Sequence, residues 1–136
     1  FYTYTHNAYR ANIGKICVIL KARVANVNEE SNQLGKNLCM HIAASKPLSL
    51  NMEKLDKTLI EKEKEILTET IKSSGKPNNI VEKILEGKMK KFYSESILMS
   101  QPYILDLDQT IKQIISEFSK KNNFEIIDYK LIALDS

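Results

Sequence analysis

The sequence has 136 residues, 43% of them hydrophobic and 27% charged, with 20 basic against 17 acidic side chains and a formal charge of +3. That apolar share supports one sizeable core and excludes a disordered chain, while the near balance of charge lacks the one-sided basic excess of a nucleic-acid domain. No apolar run approaches the roughly 20 residues that a membrane span needs.

The start, Phe1-Tyr2-Thr3-Tyr4, matches neither a signal peptide nor an initiator end, so the sequence reads as a stretch of a longer polypeptide. From Phe1 to His6 aromatic residues alternate with threonine, the pattern of a short strand, and Asn7 to Gly14 follows as a polar loop holding Tyr9 and Arg10. Lys15 to Ala25 is a stronger strand. Ile16, Val18, Leu20 and Ala22 share one face, and Cys17 and Ile19 give way to Lys21 and Arg23 on the other, which predicts cover on both sides at the start and water later. The two strands are expected to pair. Beyond the polar loop of Asn26 to Ser31, Leu34, Leu38 and Ile42 fall four apart with Cys39 and Met40 beside them, predicting a helix across the sheet that ends at Ala43-Ala44-Ser45-Lys46-Pro47. Cys17 and Cys39 have no paired spacing and read as reduced, buried thiols of a cytosolic protein.

Leu55 to Phe92 predicts two helical arms folded back on each other. Leu55, Leu59 and Ile66, with Ile60, Leu67 and Ile71 one position round, give the first arm a narrow apolar stripe, and the alternating charges of Glu61 to Glu65 form a solvated face. Gly75 and Pro77 stop the first helix, with Asn78 or Asn79 expected to cap the second. The return arm carries Ile80, Val81, Ile84, Leu85, Met89 and Phe92 at helical spacing, and Lys83, Lys88, Lys90 and Lys91 on its polar side. Helical character weakens past Ser94 and breaks at Gln101-Pro102. Tyr103 to Asp106 reads as a loop, Asp108 or Thr110 as the cap of a further helix with stripe Ile111, Ile114, Ile115 and Phe118, and Glu125 to Leu134 as a last strand with Ile127, Tyr129, Leu131 and Ala133 on its apolar face. The expected fold is α+β: a small antiparallel three-stranded sheet covered by helices on one side, residues 1–54 and 93–136, with an inserted antiparallel helical, coiled-coil hairpin over residues 55–92.

Chemistry of the usual kinds is not supported. Only His6 and His41 are present, with no Cys or carboxylate cluster around either, so no zinc site is expected. His41 reads as a helix residue whose imidazole meets a backbone carbonyl, and His6 as an exposed loop-end residue open to a partner. Gly75-Lys76 is followed by proline in a helical turn, which is not a phosphate loop, so no nucleotide or other cofactor is expected to bind directly. No spacing supports a nucleophile with its base.

Thr5-His6, Gly14-Lys15-Ile16, Met40 to Pro47, Ile60-Glu61-Lys62-Glu63, Gly75-Lys76-Pro77 with Ile80, Glu82-Lys83-Ile84, Glu86-Gly87-Lys88, Lys90-Lys91-Phe92 and Gln101-Pro102 together resemble the elongation factor Ts family in that order and at similar spacing. They resemble the carboxyl-terminal half of that family's core, its dimerisation domain, with the coiled-coil hairpin. The resemblance implies a guanine-nucleotide exchange factor of translation, without covalent chemistry of its own, whose partner is the GTPase elongation factor Tu and whose setting is the bacterial cytoplasm or an organelle matrix. Carried over, the family's contact histidine matches His6 in Tyr4-Thr5-His6, and the contacts after Gln-Pro match Tyr103, Ile104 and Leu105. The segment departs from the family where Ile127-Asp128-Tyr129-Lys130 replaces a bulky Phe-x-Arg-Phe and where the loop of Asn7 to Asn12 is longer. It also lacks the helical amino-terminal domain and the Thr-Asp-Phe segment that in relatives reaches the GTPase domain. Two readings compete with partner binding: a structural oligomerisation module that forms homodimers, against which the charged run at Glu61 to Glu65 argues, and an RNA-binding accessory domain using the return-arm lysines, which no aromatic row accompanies.

Overall fold

The computed structural model describes residues 1–6 and 15–134, and the side chains of His6, Lys15, Ala133 and Leu134 are outside what it describes. The loop expected over Asn7 to Gly14, with Tyr9 and Arg10, lies outside the described residues. The chain divides into two compact units, Phe1–Pro47 with Pro102–Ser136, and Leu48–Gln101.

In the first unit β1 (Tyr2–His6) pairs antiparallel with β2 (Lys15–Val24), which pairs antiparallel with β5 (Phe124–Leu134), in the order β1-β2-β5. This is the three-stranded antiparallel sheet expected of an α+β fold. Val18 and Leu20 of β2 are fully buried, whereas Ile19 is 37% exposed, so the expected cover on both faces of β2 is not found. Helix α1 (Glu29–Ser45) lies against β1 and β2. Asn28 and Ser31 form a reciprocal capping box at its start, and Leu34, Leu38, Cys39 and Ile42 are buried. Lys46 ends it in the left-handed conformation at φ 45°, and its N–H donates to the Ile42 carbonyl.

Strand β5 carries a one-residue irregularity that the alternation concealed. Lys21 faces Asp128, but the next residue, Ala22, faces Ile126, which leaves Ile127 as the extra residue of a bulge. The bulge exchanges the two faces of the strand. Phe124 and Ile126, 3% and 8% exposed, therefore form the apolar face before it, and Ile127 is half-buried like Tyr129 and Leu131 beyond it. Phe124 stacks on Tyr2 at 6.2 Å and meets Phe118 edge-on at 5.8 Å. Helix α4 (Ile111–Ser119) is capped by Thr110 in a second capping box with Gln113, so of the two cap candidates Thr110 is the one used. Asn122 then ties the two ends of the unit's loops: its Oδ1 accepts from the Asn26 N–H at 3.0 Å and its Nδ2 donates to the Asn26 carbonyl at 2.7 Å.

The second unit is built on a helical hairpin, α2 (Lys57–Lys72) and α3 (Asn78–Ser96), which pack on each other. Asp56 caps α2 through the Thr58 N–H, and Gly75 sits at φ +75° in the reversal, a conformation that side chains with a Cβ resist. No asparagine side chain caps α3. Pro77 occupies the cap position, and its fixed φ of −59° already matches a helix entry. Leu55, Ile71, Val81 and Met89 are buried, while Leu59 and Ile66, expected in the stripe, are 43% and 51% exposed. A helix turns by about 100° per residue, so Leu59 and Ile66, seven apart, line one edge together while Ile60, Leu67 and Ile71 hold the neighbouring one. Only the second line is covered. Past α3 a single 3-10 turn spans Leu98–Ser100. The Leu98 N–H donates to the Ser49 carbonyl at 2.8 Å and the Leu48 N–H to that of Ser96 at 2.7 Å, which joins the chain entering the hairpin to the chain leaving it.

Candidate functional site

The segment expected as a loop at Tyr103 to Asp106 is a small hairpin, β3 (Pro102–Tyr103) and β4 (Asp106–Thr110), in which Tyr103 pairs with Asp106. Two residues, Ile104 and Leu105, make its turn. Tight turns usually hold Gly, Asn, Asp or Ser, because those residues tolerate positive φ or satisfy the local backbone. Here both turn residues are apolar, and Lys46 is the only non-glycine residue with positive φ among the described residues. Without a mirror-image turn the strands splay, and the register shifts between Pro102 and Tyr103. Asp106 braces the far side, its Oδ1 accepting from the Asp108 N–H at 3.2 Å and its Oδ2 from Gln109 Nε2 at 2.8 Å.

Of the residues expected to meet a partner, the fold brings Tyr103, Ile104 and Leu105 together and gives each a different environment. Leu105 is 54% exposed, Ile104 half-buried and Tyr103 6% exposed. Tyr103 faces α1, where the Asn37 side chain stands beside its hydroxyl and His41 lies 6.0 Å from its ring. Burial raises the pKa of the Tyr103 phenol above its ordinary value, and the Asn37 side chain offsets part of that rise. His41 is fully buried, and its Nδ1 accepts from the Ile104 N–H at 3.2 Å. His6 ends β1 opposite Ile16, and its side chain lies outside the described residues. Leu107, 72% exposed on β4 beside the turn, was not expected to take part. Its only sequence signal is a lone leucine between Asp106 and Asp108.

Among the described residues no group of three His, Cys, Asp or Glu is placed to hold a metal, and no helix is long and apolar enough to cross a membrane. Cys39 is buried, which pushes its thiol up to about 11, away from the thiolate that would react. What the turn presents is exposed apolar surface on a braced frame.

A model of the family described as "Elongation factor TS" matches residues 1–135. The chain belongs to the elongation factor Ts family. Proteins named elongation factor Ts share 40% identity over 119 residues in Caulobacter sp. (strain K31), 40% over 118 in Brucella anthropi and 37% over 118 in Sinorhizobium medicae. These alignments cover 88%, 87% and 87% of this chain but 38%, 39% and 38% of the relatives. The chain thus spans less than two-fifths of the length of those elongation factor Ts proteins.

Proposed function

We propose that this chain is a part of an elongation factor Ts that grips the GTPase elongation factor Tu, and that in the longer protein the grip serves exchange of GDP for GTP. The observation that carries this reading is the exposed apolar turn, Leu105 at 54% exposure on a hairpin braced from α1 and by Asp106. Ile104 and Leu105 are the apolar contacts and His6 a polar one, while Tyr103, buried beneath the turn, supports them rather than touching the partner. The chain performs no bond-making step itself, binds no nucleotide or cofactor, and acts in the bacterial cytoplasm. Calorimetric titration against elongation factor Tu bound to GDP tests the reading. Binding is expected, and Leu105→Ala and His6→Ala should each weaken it by about 1 to 2 kcal/mol, the loss of a central contact. Absence of binding, or full affinity in both variants, would overturn it.

A further inference from the structure

We infer that His41 is a positioning residue for the Ile104-Leu105 turn, kept as the neutral tautomer with a bare Nδ1, so that one side-chain bond from α1 fixes the geometry in which Leu105 is presented. The inference rests on the partner-binding reading of that turn. Its ground is the backbone accounting of a two-residue loop. Tyr103 and Asp106 close the hairpin, and the amide of the first turn residue stands outside the ladder, so a half-buried Ile104 needs another acceptor for its N–H. The apolar side chains of Ile104 and Leu105 supply none. His41 Nδ1, at 3.2 Å, does.

That assignment restricts the chemistry of the ring. A nitrogen can accept from an amide only through a free lone pair, and imidazolium, with both nitrogens protonated, would set N–H against N–H at the same place. The proton of the neutral ring is therefore on Nε2. Asn37, one helical turn before His41, stands beside the Tyr103 hydroxyl, so two residues on one face of α1 meet two consecutive positions of the hairpin, and His41 makes the bond to its backbone. A side chain that merely filled space could be replaced by leucine without effect on the turn. A positioning acceptor could not, although asparagine, whose Oδ1 can stand near the place of Nδ1, should substitute.

The intact chain is compared with its His41→Leu and His41→Asn variants by nitrogen NMR, by amide exchange at Ile104 and by affinity for elongation factor Tu bound to GDP. Expected are an unprotonated Nδ1 in the unmodified protein, Ile104 exchange at least about tenfold faster in His41→Leu with affinity lowered about tenfold, and recovery of both to within about threefold in His41→Asn. A protonated Nδ1 overturns the inference, and that spectrum needs no variant to fold. So does wild-type exchange and affinity in His41→Leu, or a folded His41→Asn that restores neither. Leu105→Ala, measured in parallel, separates the two readings: if it weakens binding while His41→Leu does not, only the role of His41 falls, and if it binds at full affinity both fall.

Discussion

A methyl group at Gly35 would stand on the ring of Tyr2, 2.5 Å from both Cδ1 and Cδ2, so the close approach of α1 to β1 depends on that glycine having no side chain. The ring has little room to yield, because it also stacks on Phe124. In a helix interior glycine is about 1 kcal/mol worse than alanine, and overpacking a core typically costs about 1 to 3 kcal/mol. The clash should win. Gly35→Ala is expected to lower stability by up to about 2 kcal/mol in urea unfolding, the difference of those two effects. In a Tyr2→Ala background the same change should become stabilising, and an unchanged sign there would contradict the contact.

The two apolar lines of α2 should differ in what they contribute. Ile71 is 5% exposed and Ile66 51%. Ile71→Ala should destabilise the hairpin by about 2 to 4 kcal/mol and Ile66→Ala by under about 0.5. Equal shifts of the melting temperature would show that both lines are covered.

Alkaline solution should unfold the protein through groups that burial keeps protonated. Burial first, and the Asp128 charge second, push the Tyr129 phenol up to about 12, and its O–H donates to the Pro47 carbonyl at 2.8 Å. Tyr103 is shifted in the same direction, and Cys39 rises from 9.0 to about 11. Each group holds its proton longer folded than unfolded, so its contribution is complete below the unfolded pKa and is lost as pH rises through the folded one. For Cys39 that window runs from 9.0 to about 11. For Tyr129 it runs from 10.0 to about 12. Tyr129→Phe should cost about 1 kcal/mol near neutrality, the value of one hydrogen bond, and should lessen the decline in the Tyr129 window. Denaturant midpoints measured at several pH values check both signs.

Much of the fold was legible because it is written in local periodicity. The four-residue steps of Leu34, Leu38 and Ile42 predicted α1, and Gly75 with Pro77 predicted the reversal between α2 and α3. The bulge in β5 was hidden because apolar Ile126 and Ile127 are adjacent, so alternation fits either register. Hairpin β3-β4 was missed for the opposite reason: its turn, Ile104-Leu105, has none of the residues that announce one. At the candidate site, Ile104 and Leu105 were reached through family resemblance alone, and His41 reaches Ile104 across 63 positions of sequence, beyond any local pattern. The burial of Tyr103, likewise, is decided by α1.

The helical hairpin is proposed to fold independently of the sheet, since its turn and caps are specified within it. Replacing residues 55–92 by a short glycine-rich linker should leave a cooperatively unfolding sheet unit. A molten remainder, with its near-ultraviolet circular dichroism lost, would show that the sheet needs the hairpin.

Binding and exchange should come apart in a polypeptide limited to these 136 residues. The candidate contact is a single hairpin turn with Leu105 and Leu107 exposed, and an apolar patch of that kind is far smaller than the roughly 1,200 Å² at the lower end of stable interfaces. Weak binding is therefore expected. Exchange demands more than binding: to speed GDP release, a factor must hold the nucleotide-free GTPase more tightly than the GDP-bound one, by a difference that sets the shift in nucleotide affinity. The Thr-Asp-Phe segment that the family resemblance assigns to the GTPase domain is not in this sequence, and both turn residues, Ile104 and Leu105, are uncharged. The polypeptide should accordingly bind the GDP-bound and nucleotide-free forms with affinities within about threefold, a coupling of under about 1 kcal/mol. Stopped-flow release of a fluorescent GDP, run beside calorimetry on both forms, makes the comparison. Release accelerated to the level of a full-length elongation factor Ts would show that this segment carries the exchange step as well as the grip.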